Sequence, residues 1–451
     1  MERRDSGLDW AGDIPAHWPV IALRQVARLE SGHTPSRQHP EYWVPEECTT
    51  PWFSLADVWQ LREARQDYLG DTAEKISEVG MRHSAARLLP AGTVVLSRTA
   101  SVGFAGIMPK PMATTQDFAN WVCGERLLPE YLLHVFRAMA PEFVRLRMGS
   151  THQTIYMPDI RAFRIPLPSV DEQRRVLSHL AAKLPTLDAL IAKKERLIEL
   201  LEEKRQALIT QAVTKGLDPS VPMKDSGIEW LGPIPAHWEV LPLKRISPRQ
   251  LVGVVVNPST YVDEQGTIPF IFGSDVREGR IYPERARRIT AESASVIHKS
   301  ELRAGDLITV RVGAPGVTAV VPPELDGANC ASLMVVRGHR SFDSHWLCYA
   351  MNSGIGRYQV ECVQYGAAQK QFNIAHAVEW LFPVPPREEQ AQLACILSDG
   401  EQRLRSVSTQ IGSQIERLRE YRQALITAAV TGKIDLTAAA DRKLPFEAGV
   451  G

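Results

Sequence analysis

The side chains best suited to chemistry sit on short polar segments that occur twice. His152, Gln153, Thr154 and Tyr156 fall in GSTHQTIY (149–156), which aligns with GAAQKQFN (366–373) and its Gln369, Lys370, Gln371 and Asn373. Gln and Asn match the donor and acceptor pair of an adenine edge, and Lys matches guanine or a phosphate. Arg98 in GTVVLSRTASVG (92–103) aligns with Arg311 in GDLITVRVGAPG (305–316), each closing a β-branched run before a turn of Gly or Ser that includes Ser101. An Arg at a strand end reaches a phosphate or pairs bidentately with guanine. The structural alternative is a salt bridge to Asp57 or Asp275, the acids kept in PWFSLADV (51–58) and PFIFGSDV (269–276). Recurrence fits a phosphate contact or a salt bridge better than a base contact, because two reading sites should differ. Ser274 and Arg277 flank Asp275, and SGHTPSR (31–37) adds Ser31, Thr34 and Arg37 in a stretch that an ordinary turn also explains. For Tyr156 and Phe372 the alternatives are packing on a sugar and filling the core, and the core is expected.

Other chemistry finds no pattern. Methyl transfer to adenine calls for an N-P-P-Y or D-P-P-Y-like loop with a glycine-rich turn; PPEL (322–325) lacks the acid or Asn and the aromatic. No G-x-x-x-x-G-K-[ST] loop marks an ATPase, and the acidic residues form no recognisable nuclease signature. The six cysteines show no C-x-x-C pair and read as structural thiols. His17 and His237 have no Cys or Ser at a nucleophile spacing and read as packing residues.

The elements that position the polar loops are also duplicated. DSGLDWAGDIPAHW (5–18) returns as DSGIEWLGPIPAHW (225–238), a rigid lead-in dense in Trp and Pro. KRQALITQAVTKGLD (204–218) returns as YRQALITAAVTGKID (421–435), at the end of a long run with a heptad-like seam. The seam is Leu180, Leu184, Leu187, Ile191, Lys194, Ile198, Leu201, Arg205, Leu208 and Ala212 in the first copy. In the second it is Leu397, Glu401, Leu404, Ser408, Ile411, Ile415, Leu418, Arg422, Leu425 and Ala429. This spacing predicts two long helices that bury one face against each other, antiparallel by pseudo-twofold symmetry, with the polar seam positions as register markers. Ser169 and Glu172 predict a capping box, Pro386 a first turn, and Gly216 and Gly432 the helix ends. Pro185 predicts a kink or short break.

The predicted fold is therefore α+β: two similar recognition domains separated by a coiled-coil spacer of two long helices, an internal repeat with circular organisation. Its parts are a first domain (1–168), a first helix (169–216), a linker with the second lead-in and domain (217–385), a second helix (386–433) and a tail (434–451). The final helix lacks a following lead-in and the first lead-in lacks a preceding helix, so the chain reads as a ring cut open, with its ends as neighbours.

At 451 residues the chain should hold two to four domains. Its 44% hydrophobic and 23% charged residues are those of a globular protein, and no signal-peptide core or membrane-length apolar run stands out, so a cytoplasmic location is expected. A net charge of zero favours a protein-binding scaffold over a nucleic-acid binder, although local Arg and Lys patches suffice for phosphate contacts.

The DSG-x-x-W-x-G-x-IP-x-HW lead-ins, the IPLP-x-x-x-EQ segment at Ile165 to Gln173, the R-Q-A-L-I-T helix ends and the two variable segments decide between these. Together they resemble the specificity subunit of type I restriction-modification systems, along essentially the whole chain. The resemblance implies a non-catalytic DNA-binding subunit whose two target recognition domains each read half of an interrupted site on double-stranded DNA. It also implies helices that serve as spacer and dock for two copies of a modification (methyltransferase) subunit, and an ATP-dependent restriction subunit as further partner. No cofactor is expected in this chain; S-adenosylmethionine, ATP and Mg belong on the partners. The competing reading is a bivalent scaffold on a coiled coil that bridges ligands other than DNA.

Overall fold

The computed structural model describes residues 2–62, 66–148, 153–366 and 370–436. The chain forms two units, Met1–Glu195 with Gly412–Gly451, and Arg196–Ile411. Each contains one copy of every repeated element.

In the first unit a four-stranded antiparallel sheet runs in the order Ala27–Ser31, Phe118–Cys123, Val94–Ser97, Ala105–Ile107. In the second, Gln250–Val252, Leu333–Val336, Leu307–Val310 and Thr318–Val320 follow the same order. These strands are covered on both faces. Val94 and Leu96 point into the core under helix Pro129–Ala138, while Val95 joins Phe53 and Phe118 on the other side. Leu307 and Ile308 divide in the same way. Period-two alternation thus separates two apolar layers instead of core from water. A smaller sheet repeats too: Cys48–Phe53 between Glu74–Ser77 and a parallel Ala113–Thr114, then Ile268–Ile271 between Arg287–Ile289 and a parallel Asn329–Cys330.

Asp57 and Asp275 close the turns that leave these small sheets. Asp57 accepts from the Ser54 N–H at 3.0 Å and the Ala73 N–H at 2.7 Å, and Asp275 accepts from the Phe272 N–H at 2.8 Å. Both are buried and committed to backbone donors, so neither pairs with Arg98 or Arg311.

The long helices are Val170–Lys215 and Arg387–Val430, of 46 and 44 residues. At about 1.5 Å per residue each is roughly 66–69 Å long. Within the first unit Asp188 meets Arg422 at 2.7 Å and Lys194 meets Gln414 at 2.6 Å, and within the second Arg205 meets Glu401 at 3.0 Å. Rising numbers on one helix meet falling numbers on the other, so the pairing is antiparallel. The polar seam residues Lys194, Arg205, Glu401 and Arg422 are thus register contacts between the helices. The seam drifts in its last turns: Leu208 is exposed and Ile209 is buried, with Ile426 buried in the second copy. A straight helix turns every 3.6 residues, and a 3.5-residue reading slips sideways over its length.

The helix continues through Pro185, where a kink or short break was expected. Pro185 and Ala181, whose carbonyl loses its partner, both lie on the exposed side, where water can satisfy that carbonyl.

Gly216 and Gly432 adopt the left-handed conformation (φ +71° and +63°) that ends each helix, and both face a lead-in. A Cβ on Gly432 would lie 2.5 Å from Pro15 and 3.0 Å from Trp18; one on Gly216 would lie 3.5 Å from Trp238. Arg3 donates to the Gly432 carbonyl at 3.0 Å, so the first lead-in seats on the end of the last helix as the second does on the end of the first.

Candidate nucleic-acid interface

The predicted polar residues lie on loops that the framework brings together in each unit. Strand Val94–Ser97 runs into Arg98, and Thr99 forms a β-bridge with Thr154, which also bridges Met148. In the second unit Val312 bridges Gln371, which also bridges Tyr365. The Ala100 N–H donates to the Gln153 carbonyl at 2.9 Å, and the Gly313 N–H to the Lys370 carbonyl at 3.0 Å. Ile155 and Phe372 anchor these loops as fully buried plugs. Two segments about fifty residues apart in sequence are thus joined into one platform, twice.

Ala100 has φ +61° where its counterpart Gly313 has φ +88°. An L residue held in this region is strained by about 1–2 kcal/mol. Here it aims the N–H of residue 100 at the partner loop, and such strain gathers at functional loops.

The two arginines differ. Arg98 donates through Nε to the Ile155 carbonyl at 3.2 Å and through Nη1 to the Gln116 carbonyl at 2.9 Å. It therefore cross-links the loops. Arg311 Nε is buried with no hydrogen-bond partner among the described residues. Thr34 joins the first platform by donating to Gln116 Oε1 at 2.8 Å. Ser31 ends its strand, and Ser101 is half-buried beside Ala100. Gln153 is exposed; its side-chain oxygen accepts from Arg147 at 3.0 Å, a neighbour that sequence reasoning passed over.

The remaining predicted residues have the following contacts within the protein. Arg37 pairs with Glu74 at 2.6 Å and stacks on Trp43 at 3.8 Å. Asn373 caps helix Ile374–Ala377 through the Ala375 N–H at 3.1 Å. Ser274 donates to Asp275 at 3.0 Å, and Arg277 donates to the Ser274 and Val276 carbonyls. Lys370 is exposed and Gln371 half-buried on the second platform. Tyr156, expected in the core, is 55% exposed, because the buried place belongs to Ile155; Phe372 is buried as expected. His152 and Gln369 lie outside the described residues.

The repeated motifs around the platforms are explained by the helix starts. Glu172 accepts from His17 Nε2 at 2.7 Å, Trp18 Nε1 at 3.0 Å and the Ser169 N–H at 3.0 Å, while Ser169 accepts from the Glu172 N–H. Glu389 accepts from His237 at 2.8 Å and Trp238 at 3.1 Å. Burial pushes the Glu172 carboxyl up, but the His17, Trp18 and Ser169 donors outweigh it and hold it at about 2. Gln173 and Gln390 continue the joint, accepting from the Leu128 and Asp343 N–H groups at 2.9 and 2.7 Å. The HW of each lead-in and the EQ of each helix are two halves of one clasp.

Among the described residues no group of three or more His, Cys, Asp or Glu could hold a metal ion, and no helix is long and apolar enough to cross a membrane.

Residues 15–203 match the type I restriction modification DNA specificity domain. The MjaIX type I specificity subunit of Methanocaldococcus jannaschii is 28% identical over 194 residues, 43% of each chain. The chain therefore spans less than half the length of that relative. A putative specificity subunit of the same organism, MjaX, is 24% identical over 316 residues, 68% of this chain and 69% of the relative. Among solved structures, a chain from a study of complex assembly and conformational transition of the type I R-M system aligns over 93% of this chain and 99% of its own. Its TM-score is 0.69 at 16% identity, which establishes the shared fold. With its repeated framework, its match to the DNA specificity domain over residues 15–203 and these relatives, the chain is similar to the specificity subunits of type I restriction-modification systems.

Proposed function

We propose that this chain reads an interrupted site on double-stranded DNA, one half per unit, and directs modification and restriction subunits to it without performing the chemistry itself. The observation that carries this reading is the paired platform: the same two loops, joined by the same backbone bonds, present Gln153, Thr154 and Tyr156 in one unit and Lys370 and Gln371 in the other. A shared scaffold with unlike side chains is what two different half-sites require. Arg98 holds its platform rigid, and Arg311 stands half-buried at the equivalent place in the second unit. Two modification subunits are expected, because the duplicated helices present two similar surfaces. S-adenosylmethionine, ATP and Mg are assigned to the partner subunits.

The test is reconstitution with the modification subunit followed by mapping of methylated adenines on DNA. The expected result is one interrupted motif, methylated in both halves. Methylation without a shared motif, or none on any duplex, would sink the reading.

A further inference from the structure

The two units differ in charge at one equivalent place. Between Asp275 and the end of strand Arg287–Ile289 the chain reads VREGRIYPERARRI, with five Arg against two Glu, a net charge of +3. The matching stretch of the first unit, from Asp57 to the end of Glu74–Ser77, holds Arg62, Arg65 and Lys75 against Glu63, Asp67, Asp71 and Glu74, a net of −1. In a chain with no net charge this is a local excess.

The structure leaves that excess without ion pairs among the described residues, with Arg277 and Arg288 each giving Nη1 to backbone carbonyls. Arg277, Arg280, Arg285, Arg287 and Arg288 are all exposed, and none forms an ion pair among the described residues. Elsewhere arginines pair readily, as Arg337 does with Asp306 and Arg422 with Asp188. Aromatic rings hold the guanidiniums in place: Arg280 and Arg285 lie 4.9 and 4.8 Å from the Tyr282 ring, and Arg287 lies 4.6 Å from Phe272. Stacking engages the guanidinium face and leaves its edge N–H groups for an anion. Glu278, the acid between Arg277 and Arg280, is turned away and neutralised: it accepts from Arg205 at 2.9 Å, Gln206 at 3.2 Å, and Arg357. The strip adjoins the second platform. Tyr282 donates its N–H to the Asp275 carbonyl at 2.9 Å, and a Cβ on Gly273 would lie 3.1 Å from Val310, just before Arg311.

We propose that residues 277–288 form a phosphate-contacting edge for duplex DNA, so that the second unit supplies most of the salt-dependent, sequence-independent attraction and the first selects sequence with little of it. This rests on the DNA-reading function proposed above. Neutralising phosphates releases counterions, and removing one phosphate-binding cation flattens the dependence of log affinity on log salt by about 1.

The experiment compares the full chain with the triple variant Arg280→Ala/Arg285→Ala/Arg287→Ala, on a duplex carrying the mapped site and on a scrambled duplex, between 50 and 200 mM salt. The slope should flatten by up to about 3, and both affinities should fall together by roughly tenfold or more, with the half-site preference kept. The matching Lys triple variant, which keeps charge but loses the fork, should retain the slope, and Arg62→Ala in the first unit should leave it nearly unchanged. If the unaltered chain shows no salt-dependent binding, the DNA-reading function itself falls. If it binds and the Ala variant keeps the full slope, only the charged edge is overturned. Equal collapse of the Lys and Ala variants would overturn it too, by assigning the arginines to packing.

Discussion

The Nε2 of His17 lies 2.7 Å from Oε1 of Glu172, and the same pair recurs 2.8 Å apart as His237 and Glu389. Each acid is the meeting point of a lead-in and a long helix. Glu172→Ala should lose the Ser169 capping box together with the His17 and Trp18 bonds, a cost of about 2–4 kcal/mol. Urea denaturation of the variant at pH 7 measures it. The pH dependence has a definite sign. The folded pKa of about 2 lies below the ordinary 4.5, so the stabilisation is complete above about pH 4.5 and is lost as pH falls from there toward 2. The Ala variant should lack that acid-side loss; an unchanged acid limb would remove Glu172 as its source.

Ala100 and Gly313 make a reciprocal prediction. Both sit at positive φ with their N–H groups donating to the facing loop. Gly313→Ala should destabilise the second unit by about 1–2 kcal/mol, while Ala100→Gly should be neutral or slightly stabilising, because the strain removed is opposed by added freedom in the unfolded chain. Thermal unfolding of the two single variants decides it. A destabilised Ala100→Gly would mean that the methyl group packs productively and that no strain is stored there.

How much of this was legible in the sequence depends on whether the signal was local. The helix seam, the Ser169–Glu172 cap and the duplicated lead-ins each lie within a few residues or repeat outright, and the structure has them. The clasp was not legible as such: His17 and Glu172 are far apart in sequence, and only their joint recurrence could have linked them. Burial within a loop was out of reach for a similar reason. Ile155 and Tyr156 are both apolar enough to fill a core, and the strand register that buries the first is set by Thr99, across the platform. Arg98 was weighed against an acid partner, and in place of that acid it finds two carbonyls that only the folded loops bring near. The arginine strip was visible as composition, yet Glu278 could be discounted only once it was seen to turn inward.

His134 offers a second pH-dependent test in a separate window. It is 5% exposed, and burial, with the nearby Arg137 charge, pushes its pKa down to about 4. A neutral imidazole in the folded state and an ordinary 6.5 in the unfolded chain mean that its contribution is intact above about pH 6.5. It is lost as pH falls toward 4. Between pH 7 and pH 5 the loss should reach about 2 kcal/mol. Tyr349 occupies the matching helix position in the second unit, so His134→Phe is a conservative replacement. That variant should show a smaller fall in stability over this interval. An equal fall in both proteins would place the titrating group elsewhere.

Gln153 and Gln371 test the reading function itself. Gln153 is exposed with its oxygen held by Arg147, which leaves its amide hydrogens facing outward, and Gln371 is half-buried with its backbone pinned on both sides by Val312 and Tyr365. Neither side chain supports the core, so Gln153→Ala and Gln371→Ala should unfold like the parent. Removing a bidentate pair with adenine costs about 1–3 kcal/mol of discrimination. Each variant should therefore relax one half of the methylated motif by roughly 5- to 150-fold and leave the other half intact. Sequencing methylated adenines after reaction with the reconstituted complex reads both halves at once. A variant that keeps the parental motif and affinity would assign base reading to other residues of the platform.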